Sequence, residues 1–178
     1  MKKRVFIGIP ASSLLKKEIL NWQKFYLNGY RVRRIEPQNL HITLIPPWYE
    51  QNLDDVIKKL VSFKKLAKPF PILFSKVELG PKGQKKRLVW LHSETPRQLT
   101  NLQVELYDVF KYKFKYKQER QFITHLTIMR WNPKKMKVNK QHFPEISWKM
   151  AVDRICLYES KLTPKGAQYD ILSEHKLK

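Results

Sequence analysis

Two histidine–threonine pairs occur in this chain at the same short spacing, one pair in each half. His41 and Thr43 form the first pair, and His125 and Thr127 form the second, 84 positions later. In both copies an aliphatic residue separates the histidine from the threonine and another follows. This alternation predicts a strand in each half with His and Thr on one face. Two such strands indicate a two-histidine active site.

The paired motif contains the groups that phosphate-ester cleavage requires. An imidazole titrates near pH 6.5, so His41 and His125 can act as an acid and a base near neutral pH. Thr43 and Thr127 project from the same face, about 6–7 Å along each strand, and can donate hydrogen bonds to an anionic oxygen. This chemistry needs no metal. Spacing alone also leaves open a purely structural role for either histidine.

Arg130 is a further candidate for substrate binding. It lies five residues past His125, and an odd offset in a regular strand predicts the opposite face. Arg130 can reach the histidines only through a bulge or at the strand end. A structural or rim arginine is the alternative interpretation.

The net charge predicts an anionic partner. Thirty-six Lys and Arg residues against fifteen Asp and Glu residues give +21. Such a field favours nucleic acid or another phosphate compound and speeds its encounter. A general excess of lysine for solubility is the alternative, but it does not account for the shortage of acidic residues.

Several classes of protein do not match this composition. No segment approaches the roughly 20 apolar residues of a membrane span, and the apolar run at residues 5–10 is too short for a signal peptide. Cys156 is the only cysteine, so an intrachain disulfide is excluded. The histidines are dispersed without a cysteine or carboxylate cluster, which argues against zinc, and no Gly-rich phosphate loop is present. We expect a cytoplasmic monomer without a cofactor and without membrane contact.

The elements around the motifs alternate between strands and helices. Helices are predicted after Ser12 or Ser13, after Asn52 and from Pro96. Strands are predicted over residues 4–9, 31–35, 40–45, 70–79, 88–92, 122–131, 148–159 and 167–172, and the prolines at 46–47 are predicted to end the first motif strand. The order predicts an α+β fold of two lobes, each a helix-covered sheet, within one domain over residues 1–178.

The sequence resembles the 2H phosphoesterases, and within them the RNA 2′,3′-cyclic phosphodiesterases, also called 2′-5′ RNA ligases. The resemblance covers nearly the whole chain and rests on residues 4–9, 34–44, 87–91, 122–130, 157–162 and 166–169. Two departures occur. Residues 45–48 replace a Phe-Leu-Gly-like segment of many relatives, and Thr124 stands where many relatives have proline.

The resemblance implies a bilobal fold in which two antiparallel sheets form a V-shaped cleft with helices outside. It also implies metal-independent hydrolysis of an RNA-terminal 2′,3′-cyclic phosphate to a 2′-phosphomonoester. In that reaction His125 is the general base, His41 is the general acid, and Thr43 and Thr127 hold the phosphoryl oxygens. The two histidines can exchange roles in the reverse, ligating direction.

Three alternatives remain open from the sequence. The chain could bind RNA without turnover, or act as a 2′-5′ RNA ligase. It could also be a phosphodiesterase for 2′-5′ linked oligonucleotides or small cyclic nucleotides. The excess of Lys and Arg favours a polymer over a mononucleotide, because a mononucleotide needs no extended basic surface.

Overall fold

The computed structural model of the chain describes residues 1–30, 32–63, 68–81, 86–113, 122–132, 134, 143–164 and 166–178. Within these ranges the helices are α1 (Ser13–Tyr26), α2 (Leu53–Val61) and α3 (Arg97–Phe110), with short 3-10 turns at Pro37–Asn39 and Lys111–Lys113. The strands are β1 (Lys3–Pro10), β2 (Arg33–Arg34), β3 (His41–Glu50), β4 (Phe70–Phe74), β5 (Lys76–Gly80), β6 (Leu88–His92), β7 (His125–Arg130), β8 (Trp148–Val152), β9 (Arg154–Thr163) and β10 (Gly166–Lys176).

The strands form one large and one small antiparallel sheet. The large sheet has the order β10-β9-β1-β3-β7-β6-β5, with β2 paired to β7, and the small sheet consists of β4 and β8. The α+β class and the antiparallel sheets are therefore confirmed. The organisation of residues 1–178 as a single domain stays a prediction.

The two motif strands are neighbours at the centre of the large sheet. Strands β3 and β7 join at the pair Ile42–Leu126, and each of these residues directly follows a motif histidine. The antiparallel register set by this pair places His41 across from Thr127 and Thr43 across from His125. The strand pairing therefore brings together motifs that are 84 positions apart in the chain.

The helices begin at the predicted caps and cover the core. The Ser12 hydroxyl accepts a hydrogen bond from the backbone N–H of Leu15 at 3.2 Å. The Asn52 side-chain oxygen accepts one from the N–H of Asp55 at 3.1 Å. Such caps satisfy amide groups that have no partner within the helix. None of the described helices has the length and apolar composition needed to cross a membrane.

Two strand predictions were wrong in extent. The segments 70–79 and 148–159 each divide, at Ser75 and at Asp153, and the first parts leave the large sheet to form β4 and β8. Alternation reports the face of a residue but not the sheet that its strand joins.

The first motif strand also does not end at its prolines. It continues through Pro46 and Pro47 to Glu50, because a register shift against β1 creates a bulge there. A proline is tolerated at a bulge, where no ladder N–H is required.

Candidate active site

The five predicted site residues line one pocket of about 240 Å³. His41 and Thr43 come from β3, while His125, Thr127 and Arg130 come from β7. We call this space the histidine pocket. Its walls contain two imidazoles, two hydroxyls and a guanidinium, which can transfer protons and hold an anion.

Both imidazoles are fixed by the same backbone contact. His41 Nδ1 lies 2.7 Å from the carbonyl oxygen of Asn39, and His125 Nδ1 lies 2.9 Å from that of Ile123. A carbonyl oxygen only accepts, so Nδ1 carries the hydrogen in both rings. Nε2 is then the nitrogen left to exchange protons, and at His41 it lies 3.1 Å from Thr43 Oγ1.

Aromatic neighbours remove water from the His41 ring. Phe6 and Tyr169 lie 4.7 Å and 5.1 Å from it between ring centroids, the second edge-on. Burial lowers the pKa of His41 to about 4, and the charges of His125 and Arg130 also lower it, against the raising effect of the Asn39 carbonyl. His41 is therefore neutral near pH 7 in the free protein.

The second histidine is held in a similar environment. Its ring centroid lies 4.5 Å from that of Trp90, on the neighbouring strand β6. Burial is the main reason that the pKa of His125 lies below its ordinary value, and His92 lowers it further while the Ile123 carbonyl raises it. Both histidines thus favour the neutral, proton-accepting form before a ligand enters.

A bulge in β7 turns Arg130 into the pocket. Val89 of β6 pairs with Met129, and the next residue, Trp90, pairs with Thr127, so Ile128 has no opposite residue. Ile128 and Met129 are consequently both buried, and the alternation changes phase. Arg130 returns to the face of the motif histidine through this bulge, one of the two routes that the sequence left open for it.

The bulge is held from outside the sheet. The carbonyl oxygen of Ile128 accepts a hydrogen bond from Gln23 Nε2 of α1 at 2.8 Å and another from the N–H of Ile35 at 3.0 Å. Gln23 is only 2% exposed. Helix α1 therefore helps to position the pocket arginine, a role that no local sequence pattern indicates.

Other pocket residues were also missed. Arg4, Phe6, Asn39 and Tyr169 line the histidine pocket. The alternation of β1 does place Arg4 and Phe6 on one face, so a signal existed for them. Asn39 had none: its Nδ2 donates to the carbonyl of Ala167 at 2.9 Å, and its Oδ1 accepts from the N–H of Tyr169 at 3.1 Å, about 130 residues along the chain.

Gly8 provides the close approach of β1 to the first motif. An added Cβ at this position would lie 2.6 Å from the backbone oxygen of Ile42 and 3.4 Å from Cδ2 of His41. Backbone cannot move aside as a flexible side chain can. Any larger residue would therefore push β1 away from β3.

Thr124, the second departure from the expected family pattern, is well accommodated in the structure. Thr124 is fully buried, and its N–H and hydroxyl both donate to Thr95 Oγ1, at 3.2 and 2.9 Å. A proline could not make the first of these bonds.

As for metals, the described residues contain no group of three or more His, Cys, Asp or Glu side chains able to hold one ion.

Comparison with known proteins identifies the family of the chain. A family model described as the 2′-5′ RNA ligase superfamily matches residues 14–163. The chain is 29% identical over 173 residues to an RNA 2′,3′-cyclic phosphodiesterase of Archaeoglobus fulgidus, covering 93% of this chain and 96% of that protein. It is 26% identical over 180 residues to a protein of the same name from Methanocaldococcus jannaschii, covering 96% and 99%.

Solved structures show the same fold. TT0787 of Thermus thermophilus superposes with a TM-score of 0.82 at 19% identity, over 98% of this chain and 97% of that chain. E. coli LigT, in its complex with ATP, superposes with a TM-score of 0.78 at 20% identity, over 99% of both chains. With the family model extending over most of its length and the paired motifs meeting in one pocket, the chain belongs to the 2′-5′ RNA ligase superfamily of 2H phosphoesterases.

Proposed function

We propose that this protein hydrolyses the 2′,3′-cyclic phosphate at an RNA end to a 2′-phosphomonoester, with two histidines and without a metal. One observation carries the proposal: the imidazoles of His41 and His125 line a single pocket. In each ring Nδ1–H donates a hydrogen bond to a backbone carbonyl, which leaves Nε2 for proton transfer. The curated relatives named RNA 2′,3′-cyclic phosphodiesterase support the same reaction class.

The reaction needs one proton to be removed and one to be delivered. His125 Nε2 takes the proton of a water molecule, whose oxygen attacks phosphorus in line with the bond to the 3′ oxygen. His41, protonated on Nε2 once the anionic substrate is bound, gives that proton to the departing 3′ oxygen, so the phosphate stays on the 2′ oxygen. In the reverse direction the histidines exchange roles, because each step retraces the same path.

Three side chains stabilise the charge on the phosphoryl oxygens. Thr43 and Thr127 donate hydroxyl hydrogen bonds, and Arg130 supplies a fixed positive charge beside them. All three side chains project from strands whose register is set before substrate arrives, so little backbone reorganisation is needed in the transition state.

The experiment compares histidine variants on a nucleoside 2′,3′-cyclic phosphate in the presence of EDTA. His41→Asn and His125→Asn keep an amide N–H for the upstream carbonyl but lose the titrating nitrogen. Each is expected to lower kcat by about 10²- to 10⁴-fold, the usual contribution of one acid or base. His175→Asn is the matched control, since His175 does not line the histidine pocket.

Each result has a definite meaning. Turnover within tenfold of wild type in both variants would refute the mechanism, and loss of wild-type turnover in EDTA would refute metal independence. RNA binding by the wild type without product would favour the alternative of a binding protein. Chromatography of the product decides between the 2′- and 3′-phosphate.

A further inference from the structure

A second pocket, of about 390 Å³, adjoins the histidine pocket. Five residues line both spaces, which makes them adjacent: Arg4, Ile35, Asn39, Arg130 and Tyr169. Arg33 and Arg34 line the second space alone. We call it the arginine pocket, because four arginines contribute to its walls.

The fold brings two of these arginines together despite their electrostatic repulsion. Arg33 of β2 pairs directly with Arg130 of β7. Directly opposite residues of an antiparallel pair lie on one face with Cβ atoms about 4.5–5.5 Å apart, and like charges there are destabilising. Burial, together with the charges of Arg33 and Arg87, lowers the pKa of Arg130, although Tyr169 raises it.

Two of the four guanidinium groups donate hydrogen bonds to neutral oxygens, although Glu36 also lines the pocket. Arg4 Nη1 donates to the hydroxyl of Ser160 at 2.6 Å, and Arg34 Nη2 donates to the carbonyl of Leu27 at 3.4 Å. The Arg33 guanidinium lies against Gly166, where an added Cβ would come within 3.0 Å of Nη1. Within the described part of the chain, none of the four arginines forms an ion pair with a carboxylate.

We propose that the arginine pocket binds the phosphate on the 5′ side of the terminal nucleotide, which in RNA is the last internucleotide phosphate. This inference rests on the proposed function, because it assumes that the cyclic phosphate occupies the histidine pocket. One ribose then separates the two phosphates, and Arg4 and Arg130 lie in the wall between them. An arginine fork matches phosphate oxygens in geometry and charge.

The proposal specifies the substrate as a strand end and not a bare nucleoside. A nucleoside 2′,3′-cyclic phosphate with a free 5′-hydroxyl fills only the histidine pocket. The terminal nucleotide of an RNA strand also offers its 5′-side phosphate to Arg33 and Arg34. That anion neutralises the repulsion between Arg33 and Arg130. Recognition of the strand thus depends on the backbone and leaves the base sequence free.

The test uses substrates that differ by one phosphate. A nucleoside 2′,3′-cyclic phosphate is compared with the same compound bearing a 5′-phosphate and with a dinucleotide ending in the cyclic phosphate. In the wild type, kcat/KM is expected to be about tenfold higher for the last two, equivalent to about 1.4 kcal/mol. In Arg33→Ala and Arg34→Ala the ratio is expected to fall toward one.

Arg97→Ala is the control for charge. Arg97 begins α3, is exposed and lines neither pocket, so this variant loses the same single charge elsewhere. It is expected to keep the wild-type ratio. Salt gives a second readout: the slope of log(kcat/KM) against log[salt] should be steeper for the dinucleotide by about 0.7, the value for one phosphate of a single strand.

The outcomes separate this inference from the proposed function. Equal losses for all substrates in the Arg33 and Arg34 variants, or no loss, would overturn the arginine pocket as a phosphate site. A gain from the 5′-phosphate without one for the dinucleotide would overturn an RNA strand as its ligand.

If no substrate is hydrolysed, the proposed function fails while the inference is still measurable. Calorimetry then compares a nucleoside 2′-phosphate with its 5′-phosphorylated form. A tighter Kd for the second compound that Arg33→Ala removes supports the pocket, and equal Kd values refute it.

Discussion

Binding of a tetrahedral anion should restore the proton affinity of His41. In the free protein its pKa is about 4, against an ordinary value of 6.5. That difference corresponds to about 3 kcal/mol disfavouring the protonated ring. An anionic oxygen about 4 Å from the imidazolium, at an effective dielectric constant of about 20, contributes about 4 kcal/mol in the opposite direction. The anion therefore outweighs burial and should bring the pKa to at least its ordinary value.

Proton NMR of the imidazole C–H groups measures this directly. Titrations are run on the protein alone and on the protein saturated with sulfate, which is tetrahedral but does not itself titrate near neutral pH. The spectrum of His41→Asn assigns the resonance. His175, which does not line the pocket, serves as an internal control whose titration should not move.

Two results would refute the reasoning. If His41 titrates near pH 6.5 in the free protein, burial does not dominate its environment. If its pKa stays low while sulfate is bound, the ring cannot be protonated near neutral pH and His41 cannot be the general acid.

Three further perturbations test the structure around the pocket. The free energy of unfolding should fall by about 3 kcal/mol as pH decreases from 6.5 to 4, because the unfolded chain binds a proton that folded His41 excludes. Urea unfolding measures this fall, and His41→Asn should show a smaller fall in the free energy of unfolding than the wild type. Gly8→Ala should lower stability by about 1–3 kcal/mol, since its Cβ meets the backbone oxygen of Ile42, and equal urea midpoints would contradict this. Gln23→Leu should lower the free energy of unfolding by about 1 kcal/mol, because the carbonyl of Ile128 loses a hydrogen-bond donor. The bulge that directs Arg130 into the pocket then becomes less rigid, so KM should rise more than kcat falls. An unchanged KM would show that the bulge does not depend on α1.

Much of the site could be predicted from short-range patterns. The alternation at His41 and Thr43, repeated at His125 and Thr127, was sufficient to predict two polar strand faces. Helix starts at Ser12 and Asn52 were likewise local, because a cap bonds to an amide only three residues away. The charge of +21 pointed to an anionic partner, since composition alone sets it.

Other features depend on residues far apart in the chain. The sequence could not decide the face of Arg130, because the bulge at Ile128 depends on the register with β6 and on a buried donor from α1. Asn39 links the first motif to β10, about 130 residues away, and no local pattern records such a contact.

The sequence by itself determined the chemical groups, the shared strand face of each His–Thr pair and the sign of the protein's electric field. Tertiary structure alone decided that the two motif strands are neighbours, that both imidazoles are partly buried, and that Arg33 meets Arg130 across a strand pair. The physical reason is that alternation and charge are properties of neighbouring residues along the chain. Register and burial, by contrast, exist only once distant segments have packed together.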